Sequence, residues 1–271
     1  MAFANFLSPD TLPRTNPLEF SRTTDGGATW SSPVLIDQPS PFAIDFAPKI
    51  LVLPDGTLLA VFARADFAAG LAQLYAVRSP MRGGRGCRPC WLAPSRPPDA
   101  VDDKGIALPQ PGFPSAAVAP DGSVYVAFED NKSSSSGAIG VATSRDGGRT
   151  WSSAPLPGVS AFAFEPSIAV DAHGTIGMTW YDLRNDRPGD TALTADVWFA
   201  HSSDRGASWR QTHVAGPTDL RTAPQPAHNY VGEYQGLAAL RGRGFTAIFT
   251  MAAPLAKNGP TDIFFARIGP G

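Results

Sequence analysis

The stretch TSRDGGRTW, from Thr143 to Trp151, decides the fold of this chain. Near copies of it are TTDGGATW, from Thr23 to Trp30, and SSDRGASW, from Ser202 to Trp209. In each copy an aspartate can accept hydrogen bonds from the amides of its own turn, and the glycines that follow can take positive φ. The terminal tryptophan can bury a large ring between neighbouring sheets. We therefore interpret the three copies as one structural turn, and their aspartates as structural rather than catalytic.

Composition narrows the class of protein. The chain has 271 residues, 43% of them hydrophobic and 17% charged, with 27 Gly and 27 Pro, which predicts a large, turn-rich β core. A formal net charge of -2 without a run of Lys or Arg argues against a nucleic-acid partner and against an acidic membrane surface as a partner. No apolar run is long enough to cross a membrane, so membrane insertion is not expected. The beginning of the sequence shows neither a basic leader nor an export-length apolar run, and the compartment stays open.

A second repeat gives the strand pattern. The segments PKILVLPDGTLLAVF, PSAAVAPDGSVYVAF and PSIAVDAHGTIGMTW begin at Pro48, Pro114 and Pro166. In each, a glycine lies eight residues after the proline and an aromatic residue fourteen after it. Each segment predicts a strand, a two-residue turn and a second strand. A third strand follows, and the tryptophan turn then leads into a fourth.

This periodicity predicts an all-β fold, a β-propeller of four-stranded antiparallel blades. Three blades are complete in the sequence. LEFSRTTDGGATWSSPVLI supplies a third and fourth strand only, and the segment from Tyr234 to Ile268 supplies the first three. We thus expect about five blade units in one domain covering residues 1–271. A missing N-terminal segment, a five-unit ring and a further blade in residues 1–17 all fit this pattern.

No cofactor or metal is expected. Cys87 and Cys90 form a C-x-x-C pair without a second pair, which favours a local disulfide or two free thiols over a zinc or redox site. The loop YDLRNDRPGD carries oxygen ligands suited to calcium, but it lacks EF-hand spacing and is better interpreted as a hydrogen-bonded loop.

The tryptophan turns resemble the Asp-boxes, or BNR repeats, of the sialidase (neuraminidase) superfamily. The resemblance covers roughly residues 18–268 and implies the six-bladed propeller of that family. It implies a sialidase-like glycoside hydrolase acting on terminal acidic sugars of glycans, with a glycan or glycoconjugate as the partner. Propellers with such boxes also cleave other glycans or bind without catalysis, so the fold does not name the substrate.

Strand direction indicates where a site would lie. The segment before the first strand of each blade and the loop after the second share one face, and the box turns lie on the other. The candidates on the first face are Asp45, Phe46, Arg64, Asp66, Glu129, Asp130, Glu165, Tyr181, Asp182, Arg184, Tyr230, Glu233 and Tyr234.

The family resemblance implies catalytic roles for three of these residues. Tyr234 matches the family's tyrosine nucleophile and Glu165 the glutamate that activates it, because a phenol near neutral pH needs a base to take its proton. Asp66 is available as the acid/base, although outside the expected register.

The expected substrate-binding residues are Arg64, Arg184, Asp182, Tyr181 and Glu233. The family grips the substrate carboxylate with arginines. Here Phe46 stands at the first arginine position and Tyr181 at the second, with Arg184 three residues beyond.

The missing arginines leave a second reading open, a propeller that binds a glycan or protein at the channel mouth without cleaving it. In that reading Tyr234 is a core or rim aromatic, and Glu165 and Asp182 anchor loop backbone.

Overall fold

The structure is a computed structural model of the chain. It describes residues 2–4, 16–69, 71–79, 90–95, 113–130, 138–159, 161–189, 191–224, 231–232, 235–253 and 259–269. Glu233, Tyr234, Tyr230 and Cys87 lie outside these residues.

The described residues form five antiparallel sheets. Sheet 1 contains β1 (Ala2–Ala4), β2 (Leu18–Phe20) and β3 (Val34–Asp37). Sheet 2 contains β4 (Ala43–Val52), β5 (Leu58–Asp66), β6 (Leu71–Arg78) and β7 (Cys90–Ser95). Sheet 3 contains β8 (Ser115–Val118), β9 (Val124–Asp130), β10 (Ala138–Ser144) and β11 (Ser152–Pro155). Sheet 4 contains β12 (Ala163–Val170), β13 (Ile176–Asp182), β14 (Thr194–Ser202) and β15 (Arg210–Asp219). Sheet 5 contains β16 (Gly236–Ala239), β17 (Phe245–Ala252) and β18 (Thr261–Ile268).

This architecture confirms the all-β prediction and its five blade units. Each sheet is a simple meander in chain order, and the first strands β4, β8, β12 and β16 pack against one another in sequence. They therefore line the axis of the propeller. A single 3-10 helix, Leu220–Thr222, occurs among the described residues, and no helix in this part of the chain has the length and apolarity to cross a membrane.

Two details differ from the sequence predictions. Sheet 1 has a strand beyond the predicted pair, because β1 pairs with β2. The turn between the first and second strands has three residues rather than two: Leu53 donates its N–H to Thr57 across the turn, and Gly56 has φ +78. The same turn recurs with Gly122 at φ +85 and Gly174 at φ +84, since the left-handed position favours glycine.

The three tryptophan turns share one hydrogen-bond pattern. In the second, Ser144 Oγ donates to Asp146 Oδ1 at 2.8 Å and accepts from the N–H of Gly148 at 2.7 Å, and Asp146 also accepts from Thr150 N and Oγ1. Equivalent bonds occur around Asp25 and Asp204. The predicted structural role of these aspartates is therefore supported by three identical networks.

The core lies between neighbouring sheets. Trp151 packs against the cluster between sheets 2 and 3, and Trp209 against the cluster between sheets 3 and 4, as predicted. The prediction was wrong for Trp30, which is 48% exposed. The largest buried side chain is that of Trp180, within the cluster that holds sheets 3 and 4 together.

Candidate functional site

A small cavity lies where the first strands of four sheets meet. It has a volume of about 40 Å³. Its lining residues are Lys49, Phe113, Pro114, Ser115, Glu165, Pro166, Ser167 and Gln235. We call it the axial cavity. Sheets 2, 3, 4 and 5 all contribute to it, so it belongs to the propeller axis rather than to one blade.

Glu165 is the acidic residue among those lining the axial cavity, and its backbone is strained. It has φ +50 directly before Pro166, at a bulge in β12 between Phe164 and Ser167. A non-glycine residue in the left-handed region costs on the order of 1–3 kcal/mol and persists only where its surroundings enforce it. Ala47 has φ +52 before Pro48 at the matching bulge of β4, so the fold repeats this kink and places a carboxylate on it in sheet 4.

Neighbouring sheets hold Glu165 in place. Its N–H donates to Glu129 Oε1 at 2.9 Å, and its carbonyl accepts from Gln235 Nε2 at 2.8 Å. Glu129 is buried at the end of β9, and Glu165 is 6% exposed. Gln235 Oε1 is buried without a hydrogen-bond partner in the described part of the chain. An acceptor buried without a partner is costly, so this oxygen is suited to receive a hydroxyl from a ligand.

Tyr181 links sheets 4 and 5 rather than facing an open space. Its hydroxyl donates to the carbonyl of Thr250 and accepts from the N–H of Thr250, and its ring stacks on Phe164 at 5.0 Å. Burial, and the nearby Glu165 carboxylate, raise the pKa of Tyr181 above its ordinary value. The hydroxyl is therefore a neutral, saturated hydrogen-bonding group.

Arg184 and Asp182 lie together but away from the axis. The guanidinium donates to both oxygens of the fully buried Asp182, and its Nη1 donates to Gln211 Oε1 at 3.0 Å. It also lies 3.9 Å from the ring centroid of Trp198. Trp198 and Gln211 belong to the third and fourth strands of sheet 4, so Arg184 reaches toward the outer part of its blade.

Arg64 joins sheets 1 and 2. Its Nε donates to Asp45 Oδ1 at 2.6 Å and its Nη2 to Asp45 Oδ2 at 2.9 Å, while Nη2 also contacts Asp37. Burial raises the pKa of Asp45 above its ordinary value, against the opposing effect of Arg64. The guanidinium also lies over the Tyr75 ring at 4.7 Å, so its Nε, its Nη2 and one of its faces are already engaged by the protein.

Asp66 ends β5 on the same face as Glu165. Its Oδ1 accepts the N–H groups of Ala68 and Ala69, both at 3.0 Å, which closes the turn into β6. The structure thus places Glu165 at the axial cavity and Tyr181 near it. It places Arg64, Arg184, Asp182 and Asp66 in separate internal networks.

Several cavity residues were missing from the sequence prediction. Lys49, Ser115 and Ser167 each follow the proline that opens a repeated segment. These prolines mark where each axial strand begins, so the sequence could have indicated the three residues as cavity residues. Phe46, at the first expected arginine position, packs edge-on against Phe113 at 6.3 Å. No group of three or more His, Cys, Asp or Glu side chains among the described residues is placed to hold a metal ion.

No protein-family model and no curated protein matches the sequence. Solved structures match it in fold. A protein of unknown function from Dyadobacter fermentans is 20% identical with a TM-score of 0.53, the match covering 93% of this chain and 68% of that one. The intramolecular trans-sialidase from Ruminococcus gnavus is 18% identical with a TM-score of 0.51, and the match covers 94% of this chain and 50% of that one. The alpha-L-arabinanase from Penicillium chrysogenum is 14% identical with a TM-score of 0.55, and the match covers 98% of this chain and 71% of that one. The chain thus shares a propeller fold with proteins named as sialidases and arabinanases, and it spans half the length of the trans-sialidase.

Proposed function

We propose that this protein is a glycoside hydrolase that binds a terminal sugar of a glycan at the channel mouth, with only part of the sugar entering the axial cavity and with Glu165 as its principal carboxylate. The observation that carries the proposal is the strained, buried position of Glu165 at the meeting point of four sheets. Backbone strain of this kind clusters at ligand and active sites. The named activities of the sialidase and arabinanase with a similar fold suggest the reaction class.

The surroundings of Glu165 suit sugar chemistry. Glycoside hydrolysis uses a pair of carboxyl groups that flank the scissile bond, and Glu129 is the second carboxylate nearby. Lys49 is exposed at the cavity and Gln235 offers a buried acceptor, so charged and hydroxyl-bearing parts of a sugar both find partners.

A sialidase-type mechanism is the finer form of this proposal. Tyr234, which directly precedes Gln235 in the sequence, would be the nucleophile, Glu165 the base that takes its proton, and Asp66 the acid/base. Glu233 would contact substrate beside it. Arg64 and Arg184 already bind carboxylates of the protein itself, which favours a neutral sugar over an acidic one. Tyr181 and Asp182 then act as positioning residues.

Purified protein should be assayed with a fluorogenic sialoside and a fluorogenic α-L-arabinofuranoside. Turnover of either one, reduced on the order of 100-fold or more in Glu165→Gln, is the expected result, because loss of a catalytic carboxylate typically costs that much. Asp262→Asn, an exposed carboxylate on β18, is the matched control and should retain full activity. A loss of turnover in Tyr234→Phe would support the sialidase-type form, and full activity of Glu165→Gln would refute the proposal.

A non-catalytic propeller that binds a glycan or a protein at the same face is the alternative. It is favoured by the engagement of Arg64 and Arg184 and by Phe46 at an expected arginine position. Binding on a glycan array or in a pull-down, without hydrolysis of any substrate offered, would support it. Reproducible hydrolysis that depends on Glu165 would exclude it.

A further inference from the structure

A larger cavity opens on the face that carries the tryptophan turns, between sheets 4 and 5. Its volume is about 300 Å³, at the lower end of the range for small-molecule sites. His173 lies after β12 and Glu165 near its start, eight residues earlier, so the two cavities are on the order of 25 Å apart along the strand. This cavity is therefore separate from the axial one.

Cationic and polar donors converge on it. Arg243 lies between Gly242 and Gly244, both at φ +100, in the turn from β16 to β17. Arg243 is exposed, and its guanidinium forms no hydrogen bond or ion pair within the described part of the chain. The imidazoles of His173 and His201 and the hydroxyls of Ser203 and Thr175 line the same space.

Asp171, the acidic residue that lines this cavity, does not neutralise the charge of Arg243. Asp171 is 3% exposed, and its Oδ1 accepts the N–H groups of His173 and Thr175, both at 2.8 Å. The carboxylate is therefore held by its own turn. The cavity offers Arg243 as an available charge, which suits an anionic group on the ligand.

The rest of the cavity suits a small polyol. The buried rings of Phe199 and Phe245, 5.4 Å apart, form its apolar part. A second cavity of about 210 Å³ shares His173 and Ser203 with it and includes Arg205, which is paired with Asp121 at 3.0 Å. The two cavities adjoin at His173 and Ser203, and together we call them the turn-face groove.

We propose that the turn-face groove binds a carboxylated sugar of monosaccharide to disaccharide size. Arg243 takes the carboxylate, because a guanidinium matches a carboxylate in two parallel hydrogen bonds. The imidazoles and hydroxyls take the sugar hydroxyls, and the phenylalanine rings face the apolar side of the sugar. The role is binding, at a distance from any hydrolysis at Glu165.

Titration calorimetry with glucuronate, methyl glucoside and inorganic phosphate tests this proposal. Glucuronate should bind the wild type, and Arg243→Ala should weaken binding about tenfold or more, the cost of a charge-assisted hydrogen bond. Arg241→Ala, an exposed arginine of the same turn that does not line the cavity, should bind like the wild type. Glu165→Gln should also bind like the wild type, which separates this site from the axial cavity.

Three results would overturn the proposal. They are the absence of glucuronate binding, equal glucuronate affinity in Arg243→Ala and the wild type, and phosphate binding as tight as that of glucuronate. The last would show a simple anion site. Failure of hydrolysis in the assays on Glu165 leaves this test unaffected.

Discussion

Replacement of Gly177 by alanine tests whether sheets 4 and 5 pack through close contact of the Gly177 backbone with the Phe245 ring. Gly177 lies in β13 of sheet 4, and a Cβ there would come within 2.6, 2.7 and 2.8 Å of three atoms of the Phe245 ring in sheet 5. The contact between these sheets also carries the Tyr181–Thr250 bonds and the Gln235–Glu165 bond. The substitution therefore perturbs the interface between sheets 4 and 5 at the end where Phe245 lines the larger cavity.

The magnitude follows from the room available. Ordinary contacts begin near 3.4 Å, so the Phe245 ring must retreat by about 0.8 Å. That ring is 3% exposed and packs on Phe199, so it has little space to move. Overpacking of a core costs about 1–3 kcal/mol, and the lower entropy of the unfolded alanine chain returns about 0.4–1 kcal/mol. We expect a net loss of about 1–2 kcal/mol.

Urea titration followed by tryptophan fluorescence measures this loss. Gly177→Ala should lower the midpoint, and the melting temperature should fall by about 2–4 °C for each kcal/mol. Gly236→Ala is the matched control, because its Cβ would meet only Ile248 at 3.9 Å and should not destabilise the protein. Unchanged stability of Gly177→Ala, or equal losses in both variants, would show that the packing of sheets 4 and 5 is not as described.

Two further predictions concern the internal networks. The Ser208 hydroxyl and its neighbours lower the pKa of Asp204 from 3.8 to about 2, so its contribution to stability is present above pH 4 and lost as the pH falls toward 2. Thermal melts from pH 5 to pH 2 should therefore decline less steeply in Asp204→Asn than in the wild type, and parallel curves would contradict this. Arg184→Met leaves the fully buried Asp182 without its charged partner and should cost about 3 kcal/mol in urea titration. The Arg184→Met variant should keep the substrate preference of the wild type. A changed preference would indicate that Arg184 contacts the substrate.

The fold could be predicted because its signals are local. Each tryptophan turn closes through bonds between residues two to four positions apart, and each first hairpin places a glycine at one left-handed position. Side-chain types at fixed spacing specify such turns without help from distant residues. Repetition of both signals at blade spacing then determines a propeller, since an isolated blade cannot bury its faces.

The site could be predicted only in part. Glu165 was selected from the family resemblance, and its position at the axial cavity agrees with the proline register, which locates the start of each axial strand. Arg64 pairs with Asp45, 19 residues away, and Arg184 binds Gln211, 27 residues away, in addition to the neighbouring Asp182. The sequence offers no sign of the two distant pairings. An arginine beside a predicted channel can bind substrate only if no carboxylate of the protein itself already pairs with it, and the sequence does not reveal that pairing.

The sequence by itself therefore determined the turns, the strand order and the end of the propeller at which Glu165 lies. Only the tertiary structure decided which charged groups are already satisfied, where Gln235 meets Glu165, and that Arg243 has no protein partner within the described residues. The physical reason is that hydrogen-bonded turns are properties of short segments. The pairing of charges is a property of the space between sheets, which exists only after the blades have packed.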